Sequence, residues 1–304
     1  METTPRINQH HHHQQQQHLQ ITKQTVNQLN YLSSRTQINN TPKNIIVEQN
    51  DGKKALKKTK FIKNSGYNKK FGQDLQNNEE NRMRLRKEGK IMSLFNSPYI
   101  MQCQVKEEQG VVQLIMEYCP QGSLSSFLQK GNGRYLKNEK FFKSILHDIL
   151  QGICLLHENN IVHCDIKCEN ILLRNNHAVL IDFGESISTQ ISTITYPRGS
   201  PLYISPEMIH GNVGTFCDIW SFGAVICAMG WAIIHDSVNI PGIFPNPWNQ
   251  PFSNKETLFW RIGNGDKPKI PSWFSTSLCS LVEQCFLPEK RRPSARQLLR
   301  EYFT

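Results

Sequence analysis

Hydrophobic and polar positions divide the chain into a patternless stretch, a strand-rich stretch and a helix-rich stretch. Residues 1–40 carry no apolar period: His10–His13 run into Gln14–Gln17, and Asn and Gln dominate to Asn40. Such a tail buries too little apolar surface to offset the entropy of ordering it. From Asn44 the pattern changes. Ile45–Val47 predicts a short strand, Asn50-Asp51-Gly52 a hairpin turn, and Ala55–Ile62 a second strand. On that strand Ala55, Lys57, Thr59 and Phe61 share a face. A polar Asn/Gly/Lys loop follows, then a helix over Arg82–Phe95 that Ser97-Pro98 stops. Val111–Tyr118 is a strongly apolar strand, broken by Cys119-Pro120-Gln121-Gly122.

Beyond residue 122 the period is mainly that of helices. Phe141, Ile145, Ile149, Ile153 and Leu156 recur at helix spacing. Ile161–His163, Ile171–Leu173 and Val179–Ile181 are short strand candidates flanking polar loops. Asp218–Ile234 is apolar on nearly all sides and predicts a buried helix. The Pro-rich Phe244–Phe252 reads as a surface loop, with a docking surface as the alternative. Pro293-Ser294 opens a last helix, with Ser294 as its cap. No internal repeat is present.

Composition narrows the class. The 304 residues carry a formal charge of +10. Residues 1–100 hold 17 Lys+Arg against 7 Asp+Glu, and residues 101–304 hold 18 of each, so the basic character belongs to the first third. The longest nearly apolar run, Ala224–Ile234, is far short of the ~20 residues of a membrane span. The polar N-terminus lacks a signal-peptide core. Nine cysteines without a C-x-x-C pair read as reduced thiols of a cytoplasmic or nuclear protein. His163, Cys164 and Cys168 invite a zinc reading, but a second ligand pair at zinc spacing is missing.

The chemistry concentrates in His163-Cys164-Asp165-Ile166-Lys167-Cys168-Glu169-Asn170, which packs a base, a cation and a metal-binding amide between apolar strands. Asp182-Phe183-Gly184 follows the apolar Ala178–Ile181. An acid at a strand end offers oxygen to Mg²⁺, and the glycine lets the chain turn sharply. In order and spacing these stretches resemble the eukaryotic serine/threonine protein kinases over residues 43–304. H-C-D-I-K-C-E-N is similar to the catalytic loop, D-F-G to the metal-binding motif, and Ser205-Pro206-Glu207 to the end of the activation segment. The resemblance implies an α+β, two-lobed fold: a β-rich small lobe with one main helix (43–118), a hinge (119–122) and a mostly helical large lobe (123–304), after a tail over 1–42.

It also implies roles. Asp165 would accept or orient the substrate hydroxyl, and Lys167 would stabilise the transferring phosphoryl group. Asn170 and Asp182 would hold Mg²⁺. Ala55-Leu56-Lys57 resembles the A-x-K of the phosphate-binding strand, with Glu88 as the partner of Lys57 and Glu79 or Glu80 as alternatives. Met116 would be the gatekeeper, Glu117 and Cys119 would bind adenine through their backbones, and Ala55 and Leu172 would sandwich it. Met116 and Leu172 also suit plain core positions. Asp218 would brace the catalytic loop, and Arg292 would pair with Glu207. Lys167 and Gly199-Ser200-Pro201-Leu202-Tyr203 favour serine/threonine over tyrosine substrates. G-S-L-S-S-F-L, L-L-H-E-N-N-I-V-H and I-G-N-G-D-K-P-K-I-P resemble kinases high in MAP-kinase cascades.

Two departures stand out. The phosphate-covering glycines are missing: Ser33–Pro42, where they would fall, has none. Cys164 stands where the family usually has the Arg that clamps a phosphate on the activation segment. Three readings follow: an active kinase using ATP and Mg²⁺ on protein Ser/Thr hydroxyls, with an upstream kinase or scaffold as partner; a pseudokinase scaffold; or a nucleic-acid or membrane binder through the basic first third. The third lacks a nucleic-acid module.

Overall fold

A computed structural model describes the backbone of residues 45–48, 54–58, 70–108, 111–130, 132–191, 193–235 and 246–304, with side chains from Glu79 onward except His235. The expected tail, the Asn50–Gly52 turn, Thr59–Ile62, the Ser33–Pro42 segment and the side chains of Ala55 and Lys57 lie outside the described residues.

The small lobe is a four-stranded antiparallel sheet with one long helix. Strands β1 (Ile45–Glu48), β2 (Lys54–Lys58), β3 (Cys103–Glu108) and β4 (Val111–Glu117) lie in the order β1-β2-β4-β3. Burial alternates along β4: Val112, Leu114 and Met116 are buried, and the residues between them are not. Helix α1 (Lys70–Ser93) packs on β3 and β4. It begins twelve residues before the Arg82 expected, because its first half has no apolar period to betray it. Charge pairs lie along its middle. Glu79 meets Arg82 at 2.5 Å and Arg86 at 3.1 Å, and Arg86 reaches Glu107 of β3 at 2.5 Å. These exposed contacts hold Arg86 well above the usual guanidinium range.

The large lobe is built on α3 (Glu139–Glu158) and α5 (Thr215–His235), after the short α2 (Leu124–Gln129). In α3 the buried stripe includes Phe142, Ile145, Ile149, Ile153 and Leu156. Phe142, not the expected Phe141, is fully buried, because it meets Trp273 and Phe274 edge-on at 5.9 and 5.7 Å. Thr215–Ile234 of α5 is long and apolar enough to cross a membrane by length and composition, but 78% of its apolar window is buried inside the fold. It is the lobe's core helix.

Two strand pairs frame the catalytic loop. β5 (Ile161–Val162) pairs with β8 (Ile187–Ser188), and β6 (Ile171–Arg174) pairs with β7 (His177–Leu180). The β6–β7 turn is Asn175-Asn176, both at positive φ (52° and 68°), as a two-residue hairpin turn requires. Asn176 exchanges hydrogen bonds with Gln121, which fastens the hinge to this hairpin.

Helices α4 (Pro206–Ile209), α6 (Lys255–Gly263), α7 (Thr276–Cys285) and α8 (Ala295–Tyr302) complete the lobe. Ser294 caps α8 in a reciprocal capping box with Gln297. The Pro-rich segment is more than a surface loop: Trp248 is 1% exposed and donates its indole N–H to the Leu202 carbonyl at 3.1 Å.

The expected Arg292–Glu207 pair forms, at 2.9 and 3.3 Å, inside a larger socket. Arg292 also donates to the carbonyls of Phe216 and Leu287 and lies over the Trp220 ring. A lysine cannot reproduce this planar fork. Arg292→Lys is therefore expected to cost about 2–4 kcal/mol, because Glu207 and two carbonyls lose donors. Urea unfolding of the two proteins measures it.

Candidate active site

The catalytic loop hangs from one buried carboxylate. Asp218, fully buried near the start of α5, accepts the backbone N–H of His163 at 2.8 Å and of Cys164 at 2.9 Å. His157 at the end of α3 donates to the same carboxylate at 2.9 Å. Cys164 sits at φ 65°, a left-handed conformation that a non-glycine residue holds only when its surroundings fix it. The two N–H bonds to Asp218 do that. His163 is wholly buried, meets the Phe183 ring at 5.0 Å, contacts the Ile181 carbonyl through Nε2 and accepts Asp165 N–H at Nδ1. Both contacts are satisfied together by the tautomer that carries its proton on Nε2.

This framework presents Asp165 in a defined pose. Lys167 Nζ donates to its Oδ2 at 2.7 Å, and Asn170 Nδ2 donates to the same oxygen at 3.0 Å. Oδ1 is buried and has no hydrogen-bond partner. A buried unpaired carboxylate oxygen is costly and points to a missing donor. A substrate hydroxyl is the donor that suits it. Lys167 also donates to Ser200 Oγ at 2.7 Å, joining the catalytic loop to the activation segment. Gly199 is at φ +88°, and any side chain there would run into the Cys164 carbonyl.

Asn170 and Asp182 meet the chemistry of a cation site. Asn170 spends its amide N–H group on Asp165, which leaves its amide oxygen to face elsewhere. Its own carbonyl accepts Ile181 N–H at 3.0 Å, tying the loop to the residue before Asp182. Asp182 holds φ 63°, and its Oδ1 lies 3.4 Å from Gly184 N. One amide oxygen and one carboxylate are the hard ligands that a cation bridging phosphates uses alongside the phosphate oxygens.

In the small lobe, Glu88 is 2% exposed, whereas Glu79 and Glu80 are exposed within α1. Burial and the Glu88 carboxylate together push the Cys103 thiol on β3 up to about 11. That places Glu88 on the sheet-facing side of the helix. Lys57 lies in β2 in register with Leu114, and Ala55 with Met116. Met116 is buried, and Glu117 begins the hinge with its side chain on Arg174 at 3.0 Å. Cys119 is buried, and its carbonyl accepts Gly122 N–H at 2.9 Å. Leu172 is half-buried on the opposite face of β6 from the buried Ile171 and Leu173. Beside it Ser123 pairs with Leu172, and Leu173 N–H donates to Gly122 O at 2.9 Å.

Sequence reasoning missed three contributors. Gln121 and Asn176 set the hinge, and Trp248 holds the carbonyl of Leu202. Ser186, one of several hydroxyls in the activation segment, is fully buried and donates to the His163 carbonyl, so it belongs to the framework.

The fold and this site define a protein kinase domain. The chain belongs to the protein kinase domain family, which matches residues 58–304. It is 34% identical over 201 residues to mitogen-activated protein kinase kinase kinase A of Dictyostelium discoideum, covering 64% of this chain and 20% of that one. It is 30% identical over 230 residues to mitogen-activated protein kinase kinase kinase 20 of Arabidopsis thaliana, covering 69% and 62%. It is 34% identical over 203 residues to serine/threonine-protein kinase STE11 of Saccharomyces cerevisiae, covering 64% and 26%. The chain thus spans from a fifth to under two thirds of these relatives' lengths. Membership of the family carries with it the use of ATP and a divalent cation.

Proposed function

We propose that this chain is an active serine/threonine protein kinase of the type found high in MAP-kinase cascades, transferring the γ-phosphoryl group of Mg-ATP to protein hydroxyls. The observation that carries the reading is Asp165: one oxygen is held by Lys167 and Asn170, and the other is buried and unpaired. ATP, when bound, supplies the phosphoryl group. The chain's own residues do the rest. Asp165 Oδ1 accepts the substrate hydroxyl proton or orients that hydroxyl. Lys167 places positive charge beside the reacting oxygens, and Asn170 and Asp182 offer oxygen ligands to Mg²⁺. Lys57 and Glu88 position the phosphates. The hinge backbone at Glu117 and Cys119 takes adenine between Ala55 and Leu172.

The Lys167–Ser200 bond supports serine/threonine specificity, since it joins the cation of the loop to the segment that would receive the substrate. Nine cysteines without a disulfide support a cytoplasmic or nuclear setting. The MAP-kinase-cascade relatives support protein substrates that are themselves kinases. The intact set Glu88, Asp165, Lys167, Asn170 and Asp182 weighs against a pseudokinase scaffold.

The test is phosphotransfer from Mg-ATP to a generic basic protein, run beside Asp182→Asn. Phosphoserine and phosphothreonine are expected with wild type, and neither with the variant or in chelator. A silent wild type, or phosphotyrosine as the product, overturns the reading. The Michaelis constant for ATP is expected to be about tenfold above that of a kinase with a glycine-lined lid, with kcat less affected. Glycines let backbone N–H groups close on the phosphates, and Ser33–Pro42 has none. Initial rates across ATP concentrations measure it.

A further inference from the structure

The residue after Asp182-Phe183-Gly184 makes a connection that the family motifs do not require. Glu185 Oε1 lies 2.8 Å from Arg84 Nη2, and its Oε2 lies 3.3 Å from Arg198 Nη1. Arg84 belongs to α1, one helical turn before Glu88, so anything that fixes Arg84 also fixes the phase of Glu88. Arg198 precedes Gly199-Ser200, where Ser200 accepts from Lys167. One carboxylate therefore spans α1, the turn after Asp182 and the end of the activation segment.

The surroundings were made for this reach. Gly184 is occupied on its side-chain side by the Arg84 guanidinium, so any larger residue would evict it. Arg198 also lies over the Tyr196 ring at 5.4 Å. It shares with Cys164, Asp165 and Ser200 the wall of a cavity of only about 10 Å³, room for one water at most. Arg198 therefore pairs within its own segment, with Glu185, and also lines a cavity wall beside the catalytic loop. Lys87, half-buried on the same helix, is pushed below the usual lysine range by burial and by Arg198. Glu185 thus has Arg84 and Arg198 in contact and Lys87 nearby, and Cys164 adds no cation. In a kinase switched by phosphorylation, an Arg at the Cys164 position would meet a phosphate; here the anion is already part of the chain.

We infer that Glu185, gripped by Arg84 and Arg198, is a built-in anionic latch that holds α1 and the activation segment in working register without phosphorylation. The inference rests on the kinase reading above. Glu185, Arg84 and Arg198 are positioning residues, since none contacts Asp165 Oδ1. Thr193 and Thr195 are exposed and available for modification, but the latch leaves a phosphate there little to do.

The experiment uses the full chain in four forms: wild type, Glu185→Gln, Glu185→Gln with Arg84→Gln, and the Ser192/Thr193/Thr195→Ala triple variant. Two readouts are taken on each, steady-state phosphotransfer and hydrogen–deuterium exchange over residues 84–92 and 194–202. Glu185→Gln keeps the shape and removes the charge. It is expected to lower kcat about tenfold with both Michaelis constants within about twofold, as loss of one or two charge-assisted bonds between these elements implies. Exchange should rise in both segments. The double variant should be no worse than the single, because one latch is broken only once. The triple alanine variant should keep its activity within about twofold, and phosphatase treatment of wild type should change nothing. Unchanged kcat and exchange in Glu185→Gln overturn the latch and leave the kinase reading standing. So does an activity loss on phosphatase treatment that matches Glu185→Gln, since the anion is then a phosphate. A wild type without phosphotransfer overturns the kinase reading itself, and the exchange data then report separately whether Glu185 ties the two segments.

Discussion

Asp165→Asn is expected to lower kcat for phosphotransfer about a thousandfold while the melting temperature stays within a few degrees. The general-base contribution of a positioned side chain is typically 10²–10⁴-fold. Asparagine fits the same space, so the packing that buries Asp165 to 8% exposure survives. Its amide changes the hydrogen-bond sense instead. Oδ2 of Asp165 accepts from both Lys167 and Asn170, at 2.7 and 3.0 Å. An asparagine that keeps its oxygen on those two donors turns an N–H₂ toward the substrate hydroxyl, where an acceptor is needed. Turned the other way, the amide nitrogen faces the Lys167 ammonium, donor against donor. Either orientation loses one side of the arrangement. The Michaelis constant for ATP should change little, because Asp165 does not face the adenine pocket. Single-turnover rates on wild type and variant measure the chemical step directly. Retention of more than about a tenth of the activity would mean that another group handles the hydroxyl proton.

Most of this site was legible because its parts lie within eight contiguous residues and one short motif. His163 to Asn170 and Asp182 to Gly184 carry their own order, and the fold only had to turn them toward one another. Positions fixed by tertiary contact were harder. Phe141 and Phe142 are equally apolar neighbours, and only the Trp273 and Phe274 rings decide that Phe142 is the buried one. Residues 70–81 read as loop because their sequence, rich in Asn, Gln and charged residues, carries no apolar period. β3, Cys103-Gln104-Val105-Lys106-Glu107-Glu108, was not anticipated: it is an edge strand with little burial, so it gives no alternation to read. The Arg84–Glu185–Arg198 connection spans over a hundred residues of sequence, and each member alone resembles a solvated charge. Cys164 did carry a signal, since a missing cation beside a retained catalytic acid asks what replaces it.

Asp218→Ala should cost about 3–9 kcal/mol of stability and abolish phosphotransfer through the same lesion. The carboxylate is 0% exposed and accepts three donors, the N–H groups of His163 and Cys164 and Nε2 of His157. Each buried donor left without a partner costs roughly 1–3 kcal/mol, and alanine orphans all three. Against the 5–15 kcal/mol that holds a typical domain together, such a loss brings the fold close to its threshold. It falls on a backbone that already carries strain, since Cys164 at φ 65° depends on those two N–H bonds. Once released, Cys164 can relax toward ordinary backbone angles, and Asp165 turns with it. Asp218→Asn separates the two effects. Its oxygen can keep one N–H, but its amide nitrogen meets the other donors, so an intermediate loss of about 2–4 kcal/mol is expected. Urea unfolding reads the stability, and phosphotransfer at a temperature where all three proteins are folded reads the positioning. Folded Asp218→Asn protein with undiminished kcat would show that the catalytic loop keeps its pose without this carboxylate, and that the strain at Cys164 is held by something other than Asp218.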